Sequence, residues 1–265
     1  MPRELSAVRS EVRYSLCTLV TRPHEYAEML RNFGQHGFRE EDCEILFVDN
    51  SEQNRMDAFA AYNRFLVEAR GEYIILCHQD VLLLSDDRAK LDGLLQELTE
   101  RDPAWAVCGN AGARDNGDVC CRITDPKSDD TLGSFPEKVI CLDENFLVVR
   151  RSANLALSSD LRGFHWYGAD LCRVADVLGY TAYVIDFHLL HKSKGTFDST
   201  FHQGRLEFAA KYARAFRPRW QHVTTGWSAY LGGSKGGSLL ARLGWELRKR
   251  IHPPRQRTSS AGRLS

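Results

Sequence analysis

The sequence predicts an α/β fold in which a mostly parallel sheet is flanked by helices. Short apolar runs alternate with longer segments of helical periodicity, beginning at Tyr14 and continuing to Cys108. Each run is too short to form a helix of its own, and each intervening segment is long enough to cross one face of a sheet. Such alternation is typical of parallel strands joined by helical connections, with helices on both faces.

Four apolar runs are the predicted strands of this sheet: residues 14–20, 44–48, 73–77 and 104–108. The segments between them predict helices over residues 24–35, 56–69 and 85–99. Pro23 suits the first turn of a helix, where a backbone N–H would have no helical acceptor. The Ser85-Asp86-Asp87 segment is typical of a helix N-terminus, because short polar side chains accept hydrogen bonds from the exposed N–H groups there.

A long segment of mixed polar composition follows the fourth strand. Residues 109–137 are rich in Gly, Asp, Asn and Pro and contain one short candidate strand, residues 119–123. Segments of this length without regular structure are usually functional or mobile. Beyond them, the pattern predicts strands at 138–142, 146–149 and 181–187, and helices at 151–157, 170–178 and 199–214.

Composition argues against several classes of protein. Lysine plus arginine and aspartate plus glutamate number 35 each, so net charge gives no reason to expect a nucleic-acid partner. No apolar run reaches the roughly 18 residues that a membrane span requires, and residues 1–13 lack the apolar centre of a secretory signal. The sequence has neither a Gly-x-Gly-x-x-Gly motif after the first strand nor a P-loop, which argues against the dinucleotide-binding and P-loop folds.

The eight cysteines are interpreted as reduced core residues. They include no Cys-x-x-Cys pair, and several lie within apolar runs, where a free thiol behaves as a small apolar side chain. This usage is typical of a reducing compartment, so we expect a cytoplasmic protein. A zinc site is the less favoured alternative, because the spacing is not that of a zinc motif. Its ligands would be Cys108, Cys120, Cys121 and Cys141.

Polar residues follow two of the predicted strands at the point where each strand ends. The third strand is followed by His78-Gln79-Asp80, and the second by Asp49-Asn50-Ser51. Ligands of open α/β sheets bind at the carboxyl ends of parallel strands. A carboxylate there can hold a divalent cation that neutralises a diphosphate. Asp80 and Asp49 are therefore candidate site residues; the alternative is that each only begins or caps the following turn.

Four segments together resemble glycosyltransferases of the GT-A fold, in the large family-two-like group. Within that group the chain is most similar to a bacterial subgroup named after the streptomycin-biosynthesis protein StrF. The segments extend over roughly residues 14–215, and the last two are the more specific. They are Phe47-Val48-Asp49-Asn50-Ser51, Asn63 with Gly71-Glu72-Tyr73-Ile74 to His78-Gln79-Asp80, Phe164-His165-Trp166-Tyr167-Gly168-Ala169-Asp170-Leu171-Cys172, and His191-Lys192-Ser193 with Gly195.

The resemblance implies a role for each group of residues. Asp80 would be a metal ligand in the family's Asp-x-Asp motif, with His78 in place of the first aspartate, and His191 would reach back to the metal or the diphosphate. Asp170 would be the general base that deprotonates the acceptor hydroxyl. The residues that would bind the nucleotide-sugar donor are Asp49, Asn50, Ser51, Asn63, His78 and Gln79.

The chemistry of glycosyl transfer favours the same residue types. Oxygen ligands favour Mg²⁺ or Mn²⁺ over zinc, and a histidine ligand suits Mn²⁺ better than Mg²⁺. A carboxylate on the opposite side of the sugar can accept the proton of the attacking hydroxyl, and a single displacement inverts the anomeric configuration. The alternative to a catalytic role for Asp170 is a structural one, because acidic residues are favoured near a helix N-terminus.

An acceptor site is predicted beside the candidate base. Asp143 and Glu144 lie between two predicted strands near the expected position of the acceptor, and either could be the base instead of Asp170. Trp166 and Tyr167 either stack on a sugar or fill the core. The predicted acceptor-binding residues are thus Asp143, Glu144, Trp166 and Tyr167.

We therefore expect a metal-dependent inverting glycosyltransferase that uses Mn²⁺ or Mg²⁺. It would move a sugar from a nucleotide-diphosphate donor, with a UDP-sugar favoured, to a hydroxyl of a carbohydrate or lipid-linked acceptor in polysaccharide or glycoconjugate synthesis. One alternative is a nucleotidyltransferase that makes a nucleotide sugar, although Thr21-Arg22-Pro23 is a poor version of its Gly-rich basic loop. Another is a non-catalytic nucleotide- or sugar-binding module of the same fold.

The predicted domain organisation is an extension at residues 1–13, a catalytic domain at 14–230 and a tail at 231–265. The tail contains a Gly-rich joint and a basic amphipathic helix at residues 239–251. Such a helix can lie on an anionic membrane, so peripheral contact with the inner face of the membrane is one expectation. A helix docked on the domain, or a dimer contact, is slightly favoured over it. The sequence does not predict the oligomeric state.

Overall fold

The computed structural model describes residues 12–193, 195, 198–222, 224, 228–232 and 243. The chain divides into two compact units, Met1–Phe208 and Ala209–Ser265. Three expected segments lie mostly outside the described residues. They are the N-terminal extension, the Gly-rich joint at 232–237 except Gly232, and the helix at 239–251 except Leu243.

Strands and helices alternate through the first part of the chain, as the periodicity predicts. They are β1 (Val12–Val20), α1 (Pro23–Gln35), β2 (Cys43–Asp49), α2 (Ala58–Glu68), β3 (Gly71–Cys77), β4 (Val81–Leu83), α3 (Arg88–Arg101) and β5 (Trp105–Gly109). The Asp57 side chain accepts from the Ala60 N–H at the start of α2, and Asp87 accepts from the Lys90 N–H at the start of α3, both at 2.9 Å. Short polar side chains thus satisfy N–H groups that the helices leave unbonded.

The second part of the chain contains more strands than its composition predicts. They are β6 (Ala111–Ala113), β7 (Val119–Thr124), β8 (Asp129–Leu132), β9 (Glu137–Val139), β10 (Cys141–Leu142), β11 (Phe146–Arg150), β12 (Thr181–Val184) and β13 (Leu189–His191). The helices are α4 (Tyr167–Val177) and α5 (Ser199–Ala215). The expectation that residues 109–137 are largely irregular is wrong, because antiparallel pairing of β6, β7 and β8 satisfies their backbone groups.

Three further predicted elements differ in the structure. The expected strand at 138–142 is two short strands, β9 and β10, that belong to different sheets. The expected helix at 151–157 is only a 3₁₀ turn, Arg151–Ala153, which ends at Asn154 with a φ of 50°. A left-handed residue cannot continue a helix. The strand expected over 181–187 ends at Val184.

The central sheet confirms the predicted architecture, with two of its strands running against the main direction. Its order is β2-β1-β3-β11-β5-β12-β9. The β1 strand pairs in parallel with β2 and β3, and β12 pairs in parallel with β5, whereas β11 and β9 run antiparallel to their neighbours. The sheet is therefore mostly parallel, and the carboxyl ends of β1, β2, β3, β5 and β12 lie along one edge.

A second, smaller sheet has the order β10-β6-β7-β13-β4, with β8 added on β7. Its β13 strand pairs antiparallel with β4, so that His191 lies opposite Val81. Since β4 begins one residue after Asp80, this register brings the end of β13 beside the end of β3.

Two apolar cores cover the two faces of the central sheet. Alternate side chains of β3 enter different cores: Ile74 and Leu76 face one, and Tyr73, Ile75 and Cys77 face the other. The strand is buried on both faces, which explains its continuous apolar sequence. All eight cysteines are free, and all but the half-buried Cys141 are buried.

Two aromatic rings and two guanidinium groups pack together at the amino-terminal edge of the sheet. The rings of Tyr73 and Trp105 lie 5.9 Å apart and are nearly parallel, at 10°. The Arg13 guanidinium lies 4.8 Å from the Tyr73 ring centre, and that of Arg150 lies 5.8 Å from the Trp105 ring centre. Cations over aromatic faces add stability there.

The Ala209–Ser265 unit contains the end of α5 and a hairpin of β14 (Arg219–His222) and β15 (Ser228–Leu231). Trp220 and Tyr230 lie opposite each other across it, with ring centres 5.3 Å apart. Throughout the described part of the chain, no helix has the length and apolar character needed to cross a membrane.

Replacing Asp102 with alanine is expected to lower the free energy of unfolding by about 1–3 kcal/mol. Its carboxylate accepts from the Ala104 N–H at 2.9 Å, the Thr181 hydroxyl at 2.6 Å and the Tyr183 hydroxyl at 2.9 Å, joining the end of α3 to β12. Although burial opposes the shift, these bonds lower the pKa of Asp102. The stabilisation is therefore present at neutral pH and lost as pH falls through the folded-state pKa.

Urea unfolding at neutral pH and again in acid measures this loss. The matched control is Asp115→Ala, because Asp115 is exposed and its replacement should change stability by less than about 0.5 kcal/mol. Equal losses in the two variants would contradict the structural role of Asp102.

Candidate functional site

Three side chains form a cluster at the carboxyl edge of the central sheet. His78 and Asp80 follow β3, and His191 ends β13. One ligand atom from each lies within 4.8 Å of the other two. The turn that carries Asp80 is fixed by its backbone, since His78 N–H donates to the Asn145 carbonyl at 2.9 Å and Lys192 N–H to the Asp80 carbonyl at 3.0 Å.

Electrostatic interactions within the cluster keep Asp80 ionised and shift the pKa values of its two histidines in opposite directions. His191 Nε2 lies 3.5 Å from Asp80 Oδ1. Burial acts to raise the pKa of Asp80, but the hydrogen bond and charge of His191 outweigh it and lower the pKa to about 2. Burial likewise acts to lower the pKa of His191, but its bond to Asp80 raises it. Burial, followed by the charge of His191, lowers the pKa of His78 to about 4, so His78 is neutral at pH 7.

The donor set fits a divalent transition metal. One carboxylate and two imidazoles suit Mn²⁺ better than Mg²⁺, which prefers oxygen ligands alone. The structure brings Asp80 and His191 together, as expected of two metal ligands, and adds His78 as a third donor. Among the described residues, the alternative zinc ligands Cys108, Cys120, Cys121 and Cys141 do not form a metal-binding group.

Gln79 joins this cluster to the loop after β1. Its Oε1 accepts from the N–H groups of Thr21 and Arg22, both at 2.8 Å, and its Nε2 donates to Thr21 Oγ1 at 2.7 Å. The buried amide therefore holds the loop, whereas the sequence predicts a donor-binding role for it. The loop places Arg22 Nη2 3.7 Å from Asp80 Oδ2, and Arg22 Nε 2.9 Å from Glu25.

A cavity of about 200 Å³ opens beside the cluster. The residues that line it come from the ends of β1 and β3, from the segments around α2 and α4, and from the segment after β13: Leu19, Thr21, Arg22, Ala58, Tyr62, His78, Gln79, Asp80, Phe164, Tyr167 and Ser193. Its walls thus combine apolar and aromatic side chains with the Asp80 carboxylate, the His78 imidazole and the Arg22 guanidinium.

Asn63 lies elsewhere, although the resemblance implies donor binding for it. It lines a larger cavity of about 670 Å³ together with Glu72 and Arg150, which lie at the amino-terminal edge of the sheet. Its amide donates to the Leu157 carbonyl at 3.0 Å and accepts from the Leu157 N–H at 2.8 Å. These bonds give Asn63 a role in holding the backbone of Leu157.

The segment after β2 is held mainly by its own hydrogen bonds. Asp49 Oδ1 accepts from the Ser51 N–H at 2.9 Å and from its hydroxyl at 2.6 Å, and these bonds lower the pKa of Asp49. Asn50 is buried and donates to the Met56 carbonyl at 2.7 Å. The segment lies at the same edge of the sheet as the cluster, two strands away.

Three carboxylates lie around the start of α4. Asp170 is fully buried, and its two oxygens accept from the N–H and the hydroxyl of Ser158, both at 2.7 Å. Glu144 accepts from the Gly168 N–H at 3.2 Å, and burial together with the charge of Asp143 raises its pKa to about 8. Asp143 is exposed.

The two aromatic residues expected at the acceptor site make internal contacts. Trp166 directly precedes α4, has a φ of 71° and donates from Nε1 to the Phe201 carbonyl at 3.0 Å. Tyr167 is 1% exposed, and its hydroxyl lies 2.7 Å from His78 Nε2.

Sequence reasoning missed the contacts of Tyr167 with His78 and of Arg22 with Asp80. The position of Arg22 directly after β1 is the signal that could have indicated it, because β1 and β3 end at the same edge.

Comparison with known proteins agrees with the fold. No family model matches the sequence. Residues 1–349 of S. aureus TarS, solved in complex with UDP-GlcNAc, superpose with a TM-score of 0.50 at 11% identity, over 75% of this chain and 66% of that one. GalNAc-T7, solved with UDP, GalNAc and Mn²⁺, gives a TM-score of 0.46 at 9% identity, over 74% and 47% of the two chains.

The sheet order and the TarS superposition define an α/β protein of the GT-A-like fold. The chain is 39% identical over 231 residues to a protein of Fuscovulum blasticum named ATP synthase subunits region ORF 6, covering 84% of this chain and 93% of that protein. It belongs to the same family as that protein.

Asp80→Asn is expected to weaken Mn²⁺ binding by more than about 100-fold, because the cluster loses its carboxylate ligand. Titration calorimetry with Mn²⁺ alone measures the affinity without any assumption about substrate. Asp115→Asn is the matched control, since it removes an exposed carboxylate outside the cluster. Undiminished Mn²⁺ binding by Asp80→Asn would exclude the cluster as the metal site.

Proposed function

We propose that this chain is a metal-dependent inverting glycosyltransferase that moves a sugar from a nucleotide-diphosphate donor to a hydroxyl acceptor. The observation that carries the proposal is the cluster of His78, Asp80 and His191 at the carboxyl edge of a GT-A-like sheet, beside a cavity that Arg22 also lines. TarS, which shares the fold, was solved with UDP-GlcNAc, and this supports a UDP-sugar as donor.

The cluster and Arg22 would together bind the diphosphate. Asp80, His78 and His191 would hold the cation, which when bound supplies positive charge to the leaving diphosphate. Arg22 lies 3.7 Å from Asp80, so its guanidinium adds a fixed positive charge on the same side of the cavity. Guanidinium groups bind phosphate oxygens in a bidentate manner.

The general base is proposed to be Asp170, as the resemblance implies. It would take the proton of the acceptor hydroxyl as that oxygen bonds to the anomeric carbon and the bond to the diphosphate breaks, which inverts the configuration. In this conformation Asp170 accepts the Ser158 hydroxyl at 2.7 Å, so this contact must open before an acceptor binds. Asp143 and Glu144 are the alternatives.

The finer parts of the proposal follow from the sequence. They are membership of the StrF-type subgroup, a carbohydrate or lipid-linked acceptor, and a cytoplasmic role in polysaccharide or glycoconjugate synthesis. The loop after β1 argues against the alternative hypothesis of a nucleotidyltransferase. In this loop Gln79 holds Thr21 and Arg22 directly before α1, and no Gly-rich phosphate loop intervenes.

Binding of nucleotides tests the donor site. We expect UDP to bind more tightly with Mn²⁺ than without it, and more tightly than GDP or CDP, in titration calorimetry. Asp80→Asn should lose the Mn²⁺-dependent gain, because the cation is then no longer shared between protein and diphosphate. Release of UDP from UDP-sugars upon addition of acceptor mixtures distinguishes an enzyme from a binding module. Formation of nucleotide sugar from a nucleoside triphosphate and a sugar phosphate would instead establish a nucleotidyltransferase.

Asp170→Asn is expected to lower kcat by about 10²–10⁴-fold while UDP binding is retained, because only proton transfer is lost. The matched comparisons are Asp143→Asn and Glu144→Gln, each measured for kcat and for UDP affinity. A loss of kcat confined to one of these two would move the base to that residue. Unfolding measurements accompany each variant, since Asp170 also holds Ser158.

A further inference from the structure

The hydroxyl of Tyr167 lies at the centre of a buried hydrogen-bond network. Its oxygen is 2.7 Å from His78 Nε2, 3.1 Å from the backbone carbonyl of Glu144 and 3.4 Å from the hydroxyl of Tyr62. Tyr62 and Tyr167 are each 1% exposed. Competition from solvent is therefore small, and the donors and acceptors must be matched within the protein.

Proton counting gives the direction of each bond. A carbonyl oxygen only accepts, and a phenol has one proton, so the bond to the Glu144 carbonyl exists only when Tyr167 donates that proton to it. Its oxygen then accepts, and the neighbour at 2.7 Å is His78 Nε2. That nitrogen must carry a proton for the bond to form, whereas the Tyr62 hydroxyl can supply the weaker bond to the remaining lone pair.

We propose that Tyr167 is a positioning residue that holds His78 in the Nε2–H tautomer, which makes Nδ1 the nitrogen that binds the metal. A neutral imidazole has one protonated nitrogen and one with a free lone pair. Fixing the proton on Nε2 leaves the lone pair on Nδ1. This inference rests on the metal site of the proposed function and on no property of the sugar donor.

The opposite tautomer would reverse one bond of the network and break another. With Nε2 unprotonated, the Tyr167 proton would have to turn to His78, and the carbonyl of Glu144 would lose its donor. The Tyr167 ring cannot move away easily, because it lies in the first turn of α4 and packs on Tyr62 and Phe59, with ring centres 4.7 Å and 6.4 Å away. Metal-binding histidines are commonly oriented by such a partner on the second nitrogen.

The backbone at the start of α4 places the Tyr167 hydroxyl beside His78. Trp166 has a positive φ at the position before α4, and any side chain at Gly168 would collide with the Leu142 carbonyl. The glycine thus lets α4 approach β10 closely, and the closeness places the Tyr167 hydroxyl between Glu144 and His78.

Nitrogen NMR of the metal-free protein tests the tautomer directly. Two-bond proton–nitrogen correlations distinguish a protonated ring nitrogen from an unprotonated one. His78 is assigned by the signals that disappear in His78→Gln, since the chain has 9 histidines. We expect protonated Nε2 and unprotonated Nδ1 in the wild type at neutral pH. A wild-type His78 protonated at Nδ1 overturns the proposal, and this readout requires no variant of Tyr167.

Tyr167→Phe tests the consequence for the metal. We expect its His78 signals to move toward a mixture of both tautomers, and its affinity for Mn²⁺ alone to fall about 10–100-fold. The matched control is Tyr183→Phe, which removes another buried tyrosine hydroxyl, one that donates to Asp102. It should change neither His78 nor Mn²⁺ affinity. Equal Mn²⁺ affinity in wild type and Tyr167→Phe, with both folded, also overturns the proposal.

Failure of this inference and failure of the proposed function are distinguishable. Protonated Nε2 in the wild type, together with weakened Mn²⁺ binding in Tyr167→Phe, supports the inference whatever the nucleotide experiments show. If UDP neither binds nor is released from UDP-sugars, only the glycosyltransferase proposal is rejected. Metal-dependent sugar transfer by a protein whose His78 is protonated at Nδ1 rejects only the positioning role.

Discussion

The turn at the end of β3 is the constraint on which the site depends. Its three residues are each held by a different part of the chain: His78 by Asn145 and Tyr167, Gln79 by Thr21 and Arg22, and Asp80 by the β13 end. Because these partners come from distant parts of the sequence, the cluster can form only when both sheets are complete. The buried Asp80 depends on the half-buried His191, since an unpaired charge in that position would be costly.

Local sequence predicts the first part of the fold well, for a physical reason. Strands β1, β3 and β5 are largely buried on both faces, and each helix between them has one apolar face, so the pattern of residue types follows directly from the layers. The polar residues after β2 and β3 also indicate the correct edge of the sheet. The position of Asp80 beside His191 follows from a resemblance in the sequence and is matched by the register of β13 on β4.

The remainder depends on partners that periodicity does not reveal. Strands β6 to β8 are short and partly exposed, with no regular alternation of apolar residues, and their mutual pairing makes them regular. Gln79 lies at the expected edge of the sheet and Asn63 does not, and both amides hold backbone groups of other segments. A sequence gives the residue type of such a side chain but not the direction in which it points, and that direction decides between binding a ligand and holding a loop.

The distribution of free thiols makes the two apolar cores separately observable. Cys17, Cys120 and Cys172 lie in one core, and Cys43, Cys77 and Cys108 in the other. A buried thiol reacts with an alkylating reagent only after its surroundings open. The native chain therefore contains its own set of reporters for local opening on each face of the sheet, and the order in which these thiols react would show whether the faces open together.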